Sequence, residues 1–429
     1  MTEGTAVTLG FRALDRSDPD VADLIRREYR RQSSTLELIP SENLASPAIL
    51  EALGSLLTNK YAEGYPGRRY YGGCEVVDEI ESLAQERARK LFGAAYVNVQ
   101  PHAGSQANAA VYQAVCKPGD RVMGMDLAAG GHLTHGSPAN FSGKLYEIHS
   151  YSVDRDTERI DYDAVQRLAE EVRPVMMIVG YSAYPRVIDF ARMRAAADSV
   201  GAVMLTDMAH FAGLVAGGVH PSPVPSSHIV SSTIQKTLRG AWGGLILAAD
   251  AARWQKPLDS ALFPGTQGGP LMHAIAAKAV CFAEALRPEF RDYARQVVAN
   301  AGAMAARLQE RGLRLTTGGT DNHLMLIDLR PLGLTGRRVQ AASDEVGITV
   351  NANAVPYDTA SKFNPSGVRL GSPSITTRGM LEAEAREVAD CVADLVFALA
   401  EERGAPVLSA LRERTLDLTR RFPLPYALD

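Results

Sequence analysis

A lysine at position 236 stands in a segment whose composition could make it reactive. In Ser231-Ser-Thr-Ile-Gln-Lys-Thr-Leu-Arg-Gly240 the lysine follows an apolar, hydroxyl-rich run and precedes a glycine-rich stretch. A lysine that is buried in such a segment can lose its proton and act as a nucleophile. Most lysines are surface residues, however, and by itself Lys236 fits an exposed position at the end of a strand better. The neighbouring segments decide between these interpretations.

An aspartate upstream of this lysine offers a second reactive group. Asp207 lies in Leu205-Thr-Asp-Met-Ala-His210, at the end of a predicted buried strand, where open α/β sheets bind their ligands. Its carboxylate can pair with a pyridinium nitrogen, and protonation makes a pyridine ring a better electron acceptor. Taken alone, an aspartate in this place is more often a helix cap.

Two further segments could bind a phosphate and stack on a ring. Gln100-Pro-His-Ala-Gly-Ser-Gln-Ala-Asn108 opens an alanine-rich helix with small residues in its first turn. Backbone N–H groups at such a helix start can bind a phosphate. Gly130-Gly-His-Leu-Thr-His135 supplies histidines that either stack on a ring or satisfy backbone carbonyls. Each of these signals is weak in isolation.

The elements around these residues predict an α/β fold. From residue 94 to residue 249 short apolar runs alternate with helical stretches, which is typical of a mostly parallel sheet covered by helices. Strands are predicted over 121–125, 175–179, 202–205, 228–233 and 244–248. Helices are predicted over 20–32 and 47–57, and the glycine-rich segment 64–73 after them is predicted to be a loop without strands.

The C-terminal part restarts the pattern on a smaller scale. Residues 270–311 are predicted to be largely helical with an interruption near Pro288. Strands over 324–329, 348–350 and 368–370 and a helix over 377–401 follow. We therefore expect an N-terminal arm (1–50), a large α/β domain (51–290) and a smaller α+β C-terminal domain (291–429).

Composition and charge exclude several classes of protein. Hydrophobic residues make up 46% and charged residues 22% of the chain, which excludes a disordered, collagen-like or coiled-coil protein. Lys plus Arg number 45 against 49 Asp plus Glu, without a long run of one sign, so we expect a small-molecule partner and neither nucleic acid nor a membrane.

Cysteine usage and the N-terminus bear on metal binding and location. Cys74, Cys116, Cys281 and Cys391 are far apart and form no C-x-x-C pair, which argues against a zinc site and a disulfide framework, and we expect no metal. The N-terminus lacks a basic start followed by an apolar stretch, and no apolar run is long enough to span a bilayer. We expect a cytoplasmic protein, neither exported nor membrane-bound.

Six ordered blocks between about Leu36 and Pro423 carry a specific family pattern. They are Leu38-Ile-Pro-Ser-Glu-Asn43, Leu57-Thr-Asn-Lys-Tyr-Ala-Glu-Gly-Tyr-Pro-Gly-Arg-Arg-Tyr-Tyr-Gly-Gly-Cys-Glu75, His132-Leu-Thr-His-Gly136, Asp207-Met-Ala-His210, Phe263-Pro-Gly-Thr-Gln-Gly-Gly-Pro-Leu-Met-His273 and Gly367-Val-Arg-Leu-Gly371. With the lysine segment they resemble the serine hydroxymethyltransferase family of fold-type I pyridoxal-phosphate enzymes. The resemblance implies an aspartate-aminotransferase-like fold. It also implies reversible transfer of a one-carbon unit between serine and tetrahydrofolate, which yields glycine and 5,10-methylenetetrahydrofolate.

The resemblance implies a cofactor role for several matching residues. Lys236 matches the Schiff-base lysine, Asp207 the pyridinium partner and His132 the catalytic histidine that stacks on the cofactor ring. Further cofactor contacts are matched by Gly104, Ser105, His210 and Gly269.

Substrate and folate roles follow from the same resemblance. Arg369 matches the arginine that binds the amino-acid carboxylate, and Glu63 matches the glutamate that transfers protons near the substrate hydroxyl. The rest of the substrate-binding region is matched by Ser41, Tyr61 and Tyr71, with Tyr71 beside the catalytic glutamate. The folate site is matched by Tyr70, Leu127, Leu133 and Asn353, of which the leucines are equally well explained as core residues.

The resemblance also implies an active site shared between subunits. In the family, five of the matching residues come from the neighbouring subunit: Tyr61, Glu63, Tyr71, Phe263 and Gly269. We therefore expect a homodimer, alone or paired into a tetramer, and an inactive monomer.

Two departures from the family pattern flank the lysine. The family has a histidine where this chain has Gln235, and Gly-Pro-Arg-Gly-Gly where this chain has Gly240-Ala-Trp-Gly-Gly244. Gln235 cannot titrate, and the indole of Trp242 replaces a cation. Neutral drift would explain both. A retuned pocket would favour alanine and 2-methylserine, or a larger aldehyde in a folate-free aldolase or transaldolase reaction. A catalytically silent paralogue is disfavoured because Lys236, Asp207, Glu63 and Arg369 are all retained.

Overall fold

A computed structural model describes residues 7–402 and 404–428, with residue 405 described by its backbone alone. Contacts divide the chain into two units. Unit 1 holds the described residues of Met1–Pro47, Gln296–Asn353 and Ala360–Asp429, and unit 2 holds Ala48–Arg295 and Ala354–Thr359. Residues 1–6 of the predicted arm, and 403 and 429 of the predicted C-terminal domain, lie outside the described residues. The division at residues 50 and 290 stays a prediction.

Unit 2 is built on a seven-stranded sheet. Its strands in chain order are β1 (Tyr96–Asn98), β2 (Arg121–Met125), β3 (Glu147–Tyr151), β4 (Met176–Val179), β5 (Val203–Asp207), β6 (Ile229–Thr233) and β7 (Gly244–Ala248). Across the sheet they run β1-β7-β6-β5-β4-β2-β3. The neighbours from β6 to β3 pair in parallel, and β7 is antiparallel to both β6 and β1. The predicted mostly parallel α/β fold is confirmed.

The burial of the strands explains which of them the sequence predicted. All residues of β4, β6 and β7 are buried, so these strands are continuous apolar or small-residue runs. The sequence did not predict β1 or β3. β1 has three residues, and β3 lies at the sheet edge as the half-exposed Glu-Ile-His-Ser-Tyr, so neither forms a clear apolar run.

Helices connect and cover these strands. The helices that begin at or after residue 47 and lie wholly or partly in unit 2 are Pro47–Leu53, Glu75–Phe92, Gly104–Val115, Phe141–Leu145, Tyr162–Val172, Phe190–Ser199, Ala212–Ala216, Ala251–Ser260, Met272–Ala285 and Pro288–Glu310. Short 3-10 turns lie at Leu56–Asn59, Leu127–Ala129 and Leu133–His135, and a π-type turn lies at Ala261–Thr266. Apolar residues of Gly104–Val115 and Ala251–Ser260 pack with sheet residues in one core.

Unit 1 contains an antiparallel four-stranded sheet. Its strand order is Arg314–Leu315, Leu324–Asp328, Gly367–Gly371 and Asn351–Asn353. Two parallel pairs join Val7–Leu9 to Tyr426–Leu428 and Leu36–Glu37 to Ile348–Thr349. The remaining helices are Arg12–Ser17, Pro19–Ser33, Gly336–Glu345, Pro373–Thr377, Glu382–Ala400 and Ala405–Arg421, with 3-10 turns at Thr316–Gly318 and Arg330–Leu332. Leu36 and Leu38 are fully buried in this unit's core.

Three local predictions were wrong. The glycine-rich segment contains a short hairpin, Gly64–Tyr65 against Arg68–Arg69, because Pro66 and Gly67 (φ +71°) form its turn. The predicted 47–57 helix ends at Leu53, before Gly54. The predicted 377–401 helix is divided, since Gly379 (φ +92°) ends one helix and a new one begins at Glu382.

Among the described residues, every helix is too short or too polar to cross a membrane.

Candidate active site

Asp207 is the last residue of β5 and lies in a dense set of hydrogen-bond donors. Its Oδ2 accepts a hydrogen bond from Asn108 Nδ2 (2.9 Å) and lies 3.2 Å from His135 Nε2, and its Oδ1 accepts from the Ala209 amide (3.0 Å). Burial alone would raise the pKa of this carboxyl group. The hydrogen bond and charge of His135, the charge of His132 and the Asn108 hydrogen bond outweigh burial and hold the pKa of Asp207 well below its usual value. Asp207 is therefore an ionised carboxylate.

A second layer of polar groups fixes the donors themselves. Ser231 Oγ donates to Asn108 Oδ1 (2.6 Å), which leaves the Asn108 amide nitrogen to donate to Asp207 and to Thr134 Oγ1 (2.8 Å). Thr134 Oγ1 also lies 2.8 Å from His132 Nδ1. Sequence reasoning assigned no role to Asn108, Thr134 or Ser231. The available signal was spacing, because Asn108 stands four residues after Gly104 on the same helix face.

His132, His135 and Asp207 form a cluster whose ligand atoms lie within 4.8 Å of one another. Such a group can hold a metal ion. Here the side chains are already engaged: His135 and Asn108 contact Asp207, and His132 contacts Thr134. The same side chains are the ones predicted to contact the cofactor.

Lys236 lies in a tightly held turn after β6. Directly after Thr233, the last residue of β6, Ile234 N donates to Gly243 O (3.0 Å), and Arg239 N donates to Lys236 O (3.0 Å). The buried Thr237 hydroxyl donates to His210 O (2.8 Å) and accepts from Gly213 N (3.0 Å). Lys236 itself is half-buried. The fold thus fixes the backbone on both sides of the lysine.

Gly104 and Ser105 open helix Gly104–Val115 beside the end of β6. A Cβ atom at Gly104 would lie 2.6 Å from Thr233 Cγ2, so only glycine permits this approach. Ser105 is exposed in the first turn, where backbone N–H groups lack helical partners and can bind a phosphate. An ionised carboxylate, a lysine and a helix start, all at the ends of neighbouring elements, fit pyridoxal phosphate, which has a ring nitrogen, an aldehyde and a phosphate.

Glu63 lies among aromatic side chains. Tyr61 donates from its hydroxyl to Glu63 Oε1 (3.3 Å), and the charge of Glu63 and this hydrogen bond raise the pKa of Tyr61. The Tyr61 and Tyr71 rings are 4.9 Å apart, and those of Tyr70 and Phe263 are 5.6 Å apart. Tyr61, Tyr70 and Tyr71 are 56%, 75% and 47% exposed. A Cβ atom at Gly269 would lie 3.4 Å from the Tyr61 ring, so the structure brings this predicted set together.

Arg69, which sequence reasoning missed, holds the Glu63 segment. Its Nη1 donates to Ala62 O and Gly64 O, the carbonyls on either side of Glu63, at 2.8 Å each. Its Nε and Nη2 donate to Asp78 and to the fully buried Glu81 at 2.7 Å. Gln100 Nε2 adds bonds to Gly64 O and Glu81, both at 2.9 Å. The guanidinium therefore determines where Glu63 stands.

Unit 1 carries Arg369, Ser41 and Asn353. Arg369 is buried in strand Gly367–Gly371, its Nε donates to Asn351 Oδ1 (3.0 Å), and burial lowers its pKa to about 10. Gly371 N donates to Leu38 O (2.8 Å), which brings the segment of Ser41 beside this strand. Ser41 and Asn353 are half-buried. Arg369 remains a cation at neutral pH.

The remaining predicted residues lie in exposed or half-exposed places. Leu127 and Leu133 each begin a 3-10 turn, with Leu127 half-buried and Leu133 50% exposed. Neither is a core residue. Gln235 is half-buried with its Oε1 3.5 Å from Gly243 N, and Trp242 is 70% exposed.

Comparison with known proteins gives one consistent result. A family model described as serine hydroxymethyltransferase matches residues 14–392. A serine hydroxymethyltransferase of Zymomonas mobilis is 57% identical over 427 residues, covering 99% of this chain and 99% of its own. A serine hydroxymethyltransferase of Acidobacterium capsulatum is 56% identical over 412 residues, covering 96% of this chain and 95% of its own.

Proposed function

The chain belongs to the serine hydroxymethyltransferase family, and from this premise we propose how its own residues carry out the reaction. The enzyme is a pyridoxal-phosphate-dependent transferase that moves a hydroxymethyl unit reversibly between serine and tetrahydrofolate, with glycine as the other amino acid. It is thus an enzyme of one-carbon and amino-acid metabolism.

Lys236, Asp207 and His132 hold the cofactor in this proposal. Pyridoxal phosphate, when bound, accepts the electrons of a bond that breaks at the α-carbon of the amino acid. Lys236 would hold its aldehyde carbon, and Asp207 would favour a proton on the ring nitrogen. His132 would contact the ring, and Gly104, Ser105, His210 and Gly269 would supply the further contacts. The observation that carries the assignment is the ionised Asp207, held by three donors at the end of β5.

Arg369, Ser41 and Glu63 act on the amino acid. The Arg369 guanidinium offers two parallel donors to the α-carboxylate, which Ser41 also contacts. Glu63 takes up or releases the proton at the substrate hydroxyl oxygen, and Tyr61 and Tyr71 position it. The pKa of Tyr61 lies above its usual value, so its hydroxyl stays protonated and remains a donor to Glu63.

Tyr70, Leu127, Leu133 and Asn353 bind tetrahydrofolate. The exposed ring of Tyr70 and the partly exposed Leu127 and Leu133 offer apolar surface for the folate rings, and Asn353 offers hydrogen bonds. A ligand that stacks on exposed apolar side chains gains binding free energy, because apolar surface is removed from water.

We propose a homodimer in which one subunit supplies Tyr61, Glu63, Tyr71, Phe263 and Gly269 to the other's site. Exposure supports this: Tyr61, Tyr70 and Tyr71 stand on the surface of a single chain, together with Leu56, which is 78% exposed. Exposed aromatic and apolar side chains such as these are typical of an interface. Location in the cytoplasm stays a prediction, in keeping with the four free cysteines.

The reactions suggested by Gln235 and Trp242 are not favoured. Both relatives carry the name of the serine enzyme at 56–57% identity over nearly the whole chain. A preference for 2-methylserine therefore stays a hypothesis, which is tested by comparing the turnover rates of 2-methylserine and serine.

The test is a side-by-side assay of tetrahydrofolate-dependent one-carbon release from L-serine and from both enantiomers of 2-methylserine. We expect L-serine to react fastest, with glycine and 5,10-methylenetetrahydrofolate formed in equal amounts. Lys236→Ala should abolish both turnover and the absorbance of the lysine-bound cofactor. Turnover that survives this substitution would contradict the role assigned to Lys236. Turnover of 2-methylserine without turnover of serine would contradict serine as the substrate.

A further inference from the structure

Lys278 is a fully buried lysine that the proposed reaction does not use. It lies in the middle of helix Met272–Ala285, with 1% of its surface exposed. Burial lowers the pKa of Lys278 to about 7, which reflects the cost of removing an ammonium group from water. A single apolar residue here would avoid that cost, so the charge needs a structural reason.

Three backbone carbonyls surround the ammonium group. Nζ lies 2.6 Å from Val99 O, 2.9 Å from Pro101 O and 2.9 Å from Gly244 O. An ammonium has three N–H donors, one for each carbonyl. A neutral amine has two, and its lone pair would face the third carbonyl oxygen. The three carbonyls and the negative charge of Glu81 therefore favour the charged form and oppose the effect of burial.

The three carbonyls belong to two functional segments. Val99 and Pro101 join β1 to helix Gly104–Val115, the predicted phosphate-binding start. Gly244 opens β7, directly after the turn that carries Lys236. Gly244 N also donates to Pro101 O (2.9 Å), so both segments meet at this point.

Two neighbouring glycines leave the space that this arrangement needs. A Cβ atom at Gly243 would lie 2.3 Å from Lys278 Cε, and one at Gly244 would lie 2.4 Å from Ala103 O. Any larger residue would force the lysine turn away from the phosphate-binding segment. The Lys278 ammonium thus adds three hydrogen bonds to the single backbone hydrogen bond that joins the two segments.

We propose that Lys278 is a positioning residue for the cofactor, which holds the phosphate-binding segment Pro101–Ser105 at a fixed distance from the turn that carries Lys236. A rigid ligand held at its phosphate and its aldehyde carbon requires that distance to be correct before it binds. The inference rests on the proposed function, since it concerns the same cofactor.

The test compares Lys278→Met with Lys278→Arg, which keeps the charge, and measures the dissociation constant of pyridoxal phosphate. Lys278→Met should weaken cofactor binding about ten- to hundredfold, the range expected for lost hydrogen bonds to a charged group, and Lys278→Arg should restore part of it. With saturating cofactor, KM for serine should change less than about threefold. Amide hydrogen exchange at Gly244 should become faster in the cofactor-free protein, a readout that does not depend on activity.

Two control variants separate positioning from general destabilisation. Arg378 in unit 1 is another buried cation whose guanidinium donates to backbone carbonyls, including those of Thr35 and Phe422. Arg378→Met should lower stability but leave cofactor affinity unchanged. Lys256→Met, at an exposed lysine, should change neither. If Lys278→Met does not fold, Lys278→Gln replaces it in the same comparison.

A folded Lys278 variant with unchanged cofactor affinity and unchanged hydrogen exchange at Gly244 would overturn this inference but not the proposed function. The same holds if Arg378→Met weakens cofactor binding as much as Lys278→Met does. Failure of the unmodified protein to bind pyridoxal phosphate would instead overturn the proposed function.

Discussion

Asn108 donates a hydrogen bond from Nδ2 to Oδ2 of Asp207 over 2.9 Å, and its own amide oxygen is held by Ser231 at 2.6 Å. The second bond fixes the orientation of the amide, because an inverted Asn108 would place its oxygen against the carboxylate. Asn108 therefore favours an ionised Asp207, which in the proposed site would favour a protonated cofactor ring.

Asn108→Ala should weaken pyridoxal-phosphate binding about tenfold or more. The substitution removes a hydrogen bond to a charged group, an interaction of about 1.5–3 kcal/mol, and about 1.4 kcal/mol corresponds to a factor of ten. Equilibrium binding of the cofactor measures the effect. Asn300→Ala is the control, since Asn300 is equally buried in unit 1 and donates to Thr376 and Met380. Equal losses of affinity in both variants would contradict the prediction.

Asp207 should make stability depend on pH in the acidic range. Its folded pKa lies below its unfolded pKa of about 3.9, so its stabilising contribution is complete above that value and is lost as pH falls below it. Between about pH 6 and about pH 3, the difference in unfolding free energy between the protein and Asp207→Asn should shrink by about 1 kcal/mol. Urea unfolding at both pH values measures it. A difference that stays constant would show that Asp207 has an ordinary pKa.

Arg69→Met should reduce both stability and turnover. The variant leaves Glu81 buried without its cation, which typically costs about 3–5 kcal/mol, and frees the carbonyls beside Glu63. Denaturant unfolding and kcat with saturating cofactor measure the two effects. Arg68→Met is the matched control, because Arg68 is 70% exposed and makes weak contacts, 3.8 Å to Asp259 and 6.0 Å to the Tyr65 ring, so its loss should change stability by less than about 0.5 kcal/mol. A loss of stability with unchanged kcat would show that Arg69 does not position Glu63 for the reaction.

The sequence predicted those parts of the fold that local patterns determine. β2 and β7 have the predicted bounds because glycine and charged residues flank their apolar runs. β3 was missed, since an edge strand needs no apolar run and its histidine and glutamate resemble a loop. The hairpin at Gly64–Arg69 was missed because two-residue strands leave no periodicity to read.

The candidate site likewise has residues that local motifs predict and residues that only the tertiary structure brings to it. Motifs predicted roles for Asp207 and Lys236, because a reactive residue type stands at or just after the end of a strand at both positions. The groups that tune and place them come from distant segments: Asn108 is 99 residues from Asp207, and Lys278 is 179 residues from Val99. Such contacts depend on strand order, and a buried lysine within an alanine-rich helix resembles any surface lysine in the sequence.

Arg369→Lys should weaken amino-acid binding while leaving the cofactor bound. Lysine keeps the charge but cannot offer two parallel donors, and its shorter reach would leave Asn351 without the Nε partner seen at 3.0 Å. We expect KM for serine to rise about tenfold or more, as for a lost charged hydrogen bond. Spectra of the bound cofactor and steady-state kinetics measure the two properties. An unchanged KM would show that a residue other than Arg369 binds the α-carboxylate of the substrate.

Gln235 and Trp242 should affect the choice of amino acid more than cofactor binding. The half-buried Gln235 approaches Gly243 N at 3.5 Å, and the 70% exposed indole of Trp242 stands where the family has a cation. Gln235→His with Trp242→Arg restores a titrating group and a positive charge beside Lys236. We expect the ratio of kcat/KM for serine to that for 2-methylserine to rise about tenfold, the effect of one charged hydrogen bond. Leu381→Arg adds a cation at an exposed position in unit 1 and should leave the ratio unchanged. If the double variant also leaves it unchanged, both departures are neutral drift.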